Sequence, residues 1–298
     1  MNNTNSEEKQ YFDLINNIID NGDFIKSRNG NILSIFGNMM RFSLQDNKIP
    51  ILTSKKVAHK TCLKELLWFI SGNTSNQVLQ QQKVFIWNEN STREFLDSRG
   101  LFDNKEGDLG PVYGFQWRNF NGTYHGPNTL QNDNTQKDGI DQLQNIINIL
   151  KDPEQRHSRR IILSAWNPVQ IDNMALPPCH VLAQFHVSSN NELSCSLYQR
   201  SGDVGLGVPF NIASYSFLTH LLAHHCDLKP KDFVYFLGNA HIYEEHIEAL
   251  KNQLNNPLFD FPQVFINNKY DTIDEYKFTD FQVNNYKCAD KIKMVMKA

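Results

Sequence analysis

Apolar residues recur at helical spacing at Tyr11, Leu14, Ile15, Ile18 and Ile19, and Gly22 stops the run, which predicts an amphipathic helix after a short polar head. Strand-like LSIFG and MMRFSL follow, with Gly37-Asn38 as a turn or bulge between them. Leu63, Leu66, Leu67 and Ile70 mark a helix that also carries Glu65. Residues 71–110 are mixed and polar, with Trp87 as their large apolar anchor, and 119–138 read as a surface excursion rich in Asn, Gly and Thr. Leu143, Ile146, Ile147 and Leu150 share one face of a helix from Asp141 to Lys151, and the strand-like RIILSAW comes after it.

The middle of the chain holds the sharpest pattern. Two strand-like runs, Val181–Val187 and Glu192–Arg200, are joined by the polar turn Ser188-Ser189-Asn190-Asn191. In the second run Leu193, Cys195 and Leu197 alternate with Ser194, Ser196, Tyr198 and Arg200, giving one apolar face and one that ends in a guanidinium. Ser201-Gly202-Asp203 reads as a loop, and Pro209-Phe210-Asn211 leads into an amphipathic helix from about Ile212. A strand at Phe233–Leu237, a helix from about His241, and strands at Val264–Ile266 and Tyr276–Val283 complete the prediction.

No internal repeat and no Pro- or Gly-rich linker divides the 298 residues, so the expectation is a disordered head over 1–10 and one α/β domain over 11–298, built around a mixed sheet. The composition, 40% hydrophobic and 20% charged, can supply a sizeable core. A formal charge of −3 argues against generic nucleic-acid binding, while a local arginine cluster still suits a small anion. Cys62, Cys179, Cys195, Cys226 and Cys288 are odd in number without C-x-x-C pairs, which argues against a disulfide framework and against a zinc site. The polar, acidic start is neither a signal nor a transit peptide, and no apolar run approaches the ~20 residues of a membrane span. The expected compartment is the cytoplasm.

Candidate chemistry gathers around Pro177-Pro178-Cys179-His180. Two prolines stiffen the backbone ahead of the cysteine, and a hairpin can bring Arg200 back toward it, where a cation favours the nucleophilic thiolate. Cys195, by contrast, alternates onto the apolar face of its strand and reads as core. Arg159-Arg160 open the apolar run IILSAW, where a charge pair needs a partner, and a guanidinium matches phosphate oxygens in bidentate fashion. Asn211 offers both a donor and an acceptor, although an Asn after Pro-Phe also suits a helix N-cap. His241 and Tyr243, two apart, point the same way on an extended segment.

MALPPCH, LSCSLYQRSGDVGLGVPFNIASY, IPILTSKKV, ELLWFISGNT, GDLGPVYGFQWR, SRRIILSAWNP and HIY followed by HIEAL together resemble the thymidylate synthase family, over roughly Tyr11 to Met296. The resemblance implies a large twisted mixed sheet flanked by helices, paired into a homodimer sheet to sheet. It implies reductive methylation of dUMP to dTMP with 5,10-methylenetetrahydrofolate as co-substrate and no metal. Cys179 would add to uracil C6, Glu65 would act as general acid/base through water, Tyr113 would help remove the C5 proton, and Asn211 would read the uracil edge. His180 would order water or neighbouring side chains. Arg200 and Ser201 would hold the phosphate from one subunit, Arg159 and Arg160 from the other, with Arg28 a further candidate. His241 and Tyr243 would take the deoxyribose 3′-hydroxyl. Asp203 would meet the pterin, with Ile86, Trp87, Asn90, Leu206, Gly207, Phe210 and Ala298 around the folate.

Two other readings stand beside this one: a hydroxymethylase acting on dUMP or dCMP, and an inactive homologue that binds nucleotide or RNA. The chain also departs from the family pattern. The loop Arg28-Asn29-Gly30-Asn31-Ile32 is one residue short, Asn239 replaces an aspartate, Glu244-Glu245 replace Leu-Asn, and NYKCADK replaces a proline-rich approach to the tail. Glu244 and Glu245 are expected to face solvent, since two acids turned toward an anionic nucleotide would weaken its binding. The altered tail puts its closure over the ligands in question.

Overall fold

A computed structural model describes residues 5–27, 29–131 and 137–297. Arg28 and Ala298, both candidate binding residues, lie outside the described residues. The first element is α1 (Ser6–Asn21), capped by the Asn5 side chain, which accepts from the Glu7 and Glu8 amides. This corrects the expected head over 1–10, because helix begins at Ser6. The reason is Glu8, whose buried carboxylate accepts from Thr53 N, Thr53 Oγ1 and Ser54 N and pins the first turn to the body.

The principal sheet is six-stranded and mixed. Its strands are β1 (Asp23–Ser27), β2 (Gly30–Ser43), β3 (Ile162–Ser164), β4 (His180–Val187), β5 (Glu192–Asp203) and β6 (Lys229–Tyr243). They lie in the order β1-β2-β6-β5-β4-β3, antiparallel throughout except for β5 and β6, which are parallel. A separate pair, β7 (Gln263–Ile266) with β8 (Phe281–Asn284), is antiparallel. The helices are α2 (His59–Ile70), α3 (Asn76–Gln81), α4 (Arg93–Ser98), α5 (Tyr113–Asn119), α6 (Gln142–Lys151), α7 (Gly207–His225) and α8 (Ile247–Gln253).

The β4–β5 hairpin and its alternation are as predicted: Leu193, Cys195 and Leu197 are buried, while Ser194, Ser196, Tyr198 and Arg200 are not. Several boundaries differ. Ser201-Gly202-Asp203 is strand, because β5 keeps pairing with β6 as far as Asp203 against His241. For the same reason His241 lies within β6, which runs to Tyr243, instead of starting a helix. LSIFG and MMRFSL form one strand, its register on β6 unbroken across Gly37, which absorbs the kink at φ +87°. Tyr276 lies outside β8, which begins at Phe281.

Helix α7 starts at Gly207, five residues early, and it is not amphipathic. It is buried on nearly every side, between α2 and strands β5 and β6. No Asp, Glu, Lys or Arg occurs between Gly207 and His225, which permits that burial. Ser216 and Thr219 hydroxyls donate to Ile212 O and Tyr215 O, so these two buried hydroxyls are satisfied within the helix itself. This rigid central helix presents Asn211 from its first turns to the ends of β4 and β5.

The opposite face of the sheet carries an exposed apolar row. Leu182, Tyr198, Phe236 and Met39 are successive cross-strand partners on β4, β5, β6 and β2, and the last three are 39–49% exposed.

Candidate active site

Cys179 stands immediately before β4, and its surroundings follow from that position. Its backbone N–H donates to the Tyr113 hydroxyl at 2.8 Å, and its carbonyl accepts from Arg200 N at 2.9 Å. The Arg200 side chain reaches back over the turn. Nε donates to Pro178 O and Nη2 to Pro177 O, both at 2.9 Å, and Nη2 lies 3.8 Å from Cys179 Sγ. The two proline carbonyls therefore aim the guanidinium, which also sits 5.7 Å over the Trp166 ring.

Burial pushes the Cys179 thiol above the usual cysteine range, and Arg200 offsets only part of that. The arginine acts in the expected direction, toward the thiolate, but desolvation is the larger effect. His180, directly after, is buried between the Tyr113 and Tyr215 rings. Burial lowers its pKa to about 4, with the Asn211 side chain pulling the other way, so the ring is neutral at pH 7.

Glu65 is buried on α2, not on a solvated face. Its Oε1 accepts from Trp87 Nε1 at 2.7 Å, and desolvation raises its pKa to about 7 although that bond lowers it. Trp87 packs edge-on to Tyr113 at 6.0 Å, and Tyr113 lies over Phe69 at 4.8 Å. One contiguous set thus joins Glu65, Trp87, Tyr113, Cys179, His180 and Arg200.

On the other flank, Asn211 is nearly buried, and its Oδ1 accepts from Gln199 Nε2 at 3.0 Å. Gln199 was not singled out from the sequence. The available signal was an amide at a core-facing position of β5, in register with Leu193, Cys195 and Leu197.

Asp203, at the end of β5, accepts from Gly205 N at 2.8 Å, and its Oδ1 lies 3.8 Å from His246 Nδ1. His246 Nε2 in turn meets Val295 O at 2.8 Å, which ties the tail to this corner. A side chain at Gly205 would collide with His246 Nδ1 at 2.9 Å and Met294 Sδ at 3.0 Å. Despite its altered approach, the tail is packed against the loop between β5 and α7. His241 and Tyr243 share one face of β6, with rings 5.4 Å apart, and Asn239 Oδ1 is 3.0 Å from His241 Nδ1. Glu244 and Glu245 face solvent as expected: Asn31 Nδ2 donates to Glu244 at 2.8 Å, and Lys297 pairs with Glu245 at 2.9 Å. Gly30, Asn31, Tyr243, both acids and Lys297 line a cleft of ≈ 210 Å³.

Ile86, Leu206 and Phe210 are half-buried apolar side chains, and Ser201 is half-buried on β5. Gly207 is the first residue of α7. Asn90 is buried with no partner for Nδ2 among the described residues, an unmet donor that suits a ligand. Arg159 and Arg160 are exposed just before β3, and neither forms an ion pair among the described residues. No hydrogen bond among the described residues links either of them to Cys179. Among the described residues, no group of three His, Cys, Asp or Glu side chains is arranged to hold a metal ion, and no helix is long and apolar enough to cross a membrane.

A family model described as thymidylate synthase matches residues 9–298. The chain belongs to the thymidylate synthase family. It is 48% identical to a thymidylate synthase of Saccharomyces cerevisiae, covering 99% of both chains. It is also 48% identical to a thymidylate synthase of Ascaris suum, over 99% of this chain and 98% of the other. A bifunctional dihydrofolate reductase-thymidylate synthase of Leishmania major is 47% identical over 98% of this chain, which spans 55% of that relative's length.

Proposed function

We propose that this protein methylates dUMP to dTMP, using 5,10-methylenetetrahydrofolate and releasing dihydrofolate. The observation that carries the reading is the cysteine sulfur held 3.8 Å from a guanidinium that two proline carbonyls orient. In this reading Cys179 Sγ bonds to uracil C6, the C5=C6 π pair moves toward O4, and C5 becomes nucleophilic. Asn211 pairs with N3–H and O4 of the base, and Glu65, poised near neutrality, moves protons through water at O4. Tyr113 assists at the C5 proton, and neutral His180 holds its neighbours in place. Arg200, Ser201 and Arg28 bind the phosphate, and His241 with Tyr243 binds the 3′-hydroxyl. The folate, which supplies the one-carbon unit and the hydride, is held by Asp203, Asn90, Gly207 and the apolar wall of Ile86, Trp87, Leu206 and Phe210, with the tail to Ala298 across it.

Purified protein given dUMP and 5,10-methylenetetrahydrofolate is expected to raise dihydrofolate absorbance and to yield a product heavier than dUMP by one methyl group. A hydroxymethyl product, or nucleotide binding without turnover, would overturn the reading in favour of a hydroxymethylase or an inactive homologue.

The catalytic domain takes in α1 and works as a homodimer. Support comes from the exposed row Leu182, Tyr198, Phe236 and Met39, an apolar stripe suited to a second copy of the same face. The exposed arginines beside it complete the partner's phosphate site. Inactive Cys179→Ser protein mixed with inactive Arg159→Ala/Arg160→Ala protein should therefore regain about a quarter of wild-type activity after subunit exchange, since half the dimers carry one intact site of two. No recovery on mixing would refute the shared site. The cysteines Cys62, Cys179, Cys195, Cys226 and Cys288 are all free, which supports a reducing compartment, the cytoplasm.

A further inference from the structure

Asn211 is a side-chain amide, so its reading of a base depends on which way round it sits. With Oδ1 and Nδ2 in one orientation it offers an acceptor to N3–H and a donor to O4, the pattern of uracil. Rotated by 180° about its terminal bond, it offers a donor and an acceptor in the reverse places, the pattern of cytosine. The asparagine alone does not choose.

The choice is made behind it. Gln199 sits at a core position of β5 and is 2% exposed. Its Nε2 donates to two oxygens, Ser201 O at 2.8 Å and Asn211 Oδ1 at 3.0 Å. Its Oε1 accepts from the Tyr235 hydroxyl at 2.7 Å, and Tyr235 is itself fully buried. The Ser201 carbonyl can only accept, so it fixes which end of Gln199 is nitrogen. That end then fixes which end of Asn211 is oxygen. A flipped Asn211 would set its own NH₂ against the Gln199 NH₂, and a flipped Gln199 would set its oxygen against the Ser201 carbonyl. Each mispairing strands a donor or acceptor away from water, which is unfavourable.

We infer that Gln199 is a specificity-determining residue that makes the site select uracil over cytosine by locking the Asn211 amide. The inference rests on the proposed dUMP site and adds to it a residue that touches no substrate. Ser201 contributes through its backbone carbonyl, whatever its side chain does, and Tyr235 supports Gln199 from the other end.

The test compares dUMP and dCMP binding by calorimetry in wild-type, Gln199→Leu and Tyr235→Phe proteins. Gln199→Leu keeps the volume and removes the lock, and the dUMP-over-dCMP preference is expected to fall at least about tenfold, as a mispaired buried group predicts. Tyr235→Phe should lower it in the same direction by less, and it provides the same readout if Gln199→Leu fails to fold. A residue that only fills the core would weaken both nucleotides equally. An unchanged ratio in a folded variant therefore overturns the inference while leaving the proposed function intact. A wild-type protein that does not bind dUMP overturns the proposed function, and this inference with it.

Discussion

Cys179→Ser protein is expected to fold, to bind dUMP, and to lose turnover by about 10⁴-fold or more, the scale on which removal of a covalent nucleophile acts. The geometry argues for a loss of this size. The sulfur is already held above its ordinary pKa by burial, and only the Arg200 guanidinium at 3.8 Å opposes that shift. A serine hydroxyl in the same place starts from a far higher pKa, and one cation that does not fully offset burial for a thiol cannot ionise an alcohol. The contacts that shape the site survive the change, because the Tyr113 and Arg200 bonds at this residue are made by its backbone. Calorimetry with dUMP and a thermal melt verify the intact pocket, and dihydrofolate absorbance measures turnover. Turnover within tenfold of wild type would rule out a covalent mechanism through Cys179.

Much of this site is legible in the sequence, and what is legible and what is not differ residue by residue for physical reasons. The period-2 alternation in β5 assigned Leu193, Cys195 and Leu197 to the core and Arg200 to the other face, because one strand carries the whole pattern. Partners that lie far away in sequence were not legible. The stretch at Gly238-Asn239 reads locally as the end of a strand, yet β6 runs on to Tyr243. A side chain at Gly238 would strike Arg200 O at 2.8 Å, so the glycine is what lets the parallel strands approach. Glu65 looks like the polar side of its helix and Glu8 falls in the expected head, yet both are buried. What draws them inward is the Trp87 indole in one case and the Thr53-Ser54 donors in the other. Helix α7 was expected to have a solvent face, but packing on all sides removes it. Gln199 escaped notice because an amide inside an apolar alternation looks like an exception until its three partners are seen. The resemblance to the family compensates for several of these gaps, since it implies a role for Glu65 that periodicity alone does not.

Glu65→Gln protein is expected to lose between about 10² and 10⁴ in turnover, the range typical of a general acid/base, and at the same time to become more stable at neutral and higher pH. Both effects have one cause. Burial raises the Glu65 pKa from an ordinary carboxylate value to about 7, so the carboxyl exchanges protons near neutrality, where a proton relay works best. That raised pKa means the folded protein holds a proton that the unfolded chain has already released. Stability contributed by this group is therefore greatest at low pH, falls as pH rises from about 4.5 to about 7, and stays low above that. The shift corresponds to a cost on the order of 3 kcal/mol above pH 7. Glutamine has no proton to lose and can still accept from the Trp87 indole, so the variant escapes this cost. The difference in melting temperature between variant and wild type should be small near pH 5 and should widen in favour of the variant toward pH 8. A difference that does not change with pH would mean that Glu65 is not held protonated by its surroundings, and the acid/base role would lose its physical basis. A gain in stability at the expense of turnover is what a functional charge placed in a dry site predicts.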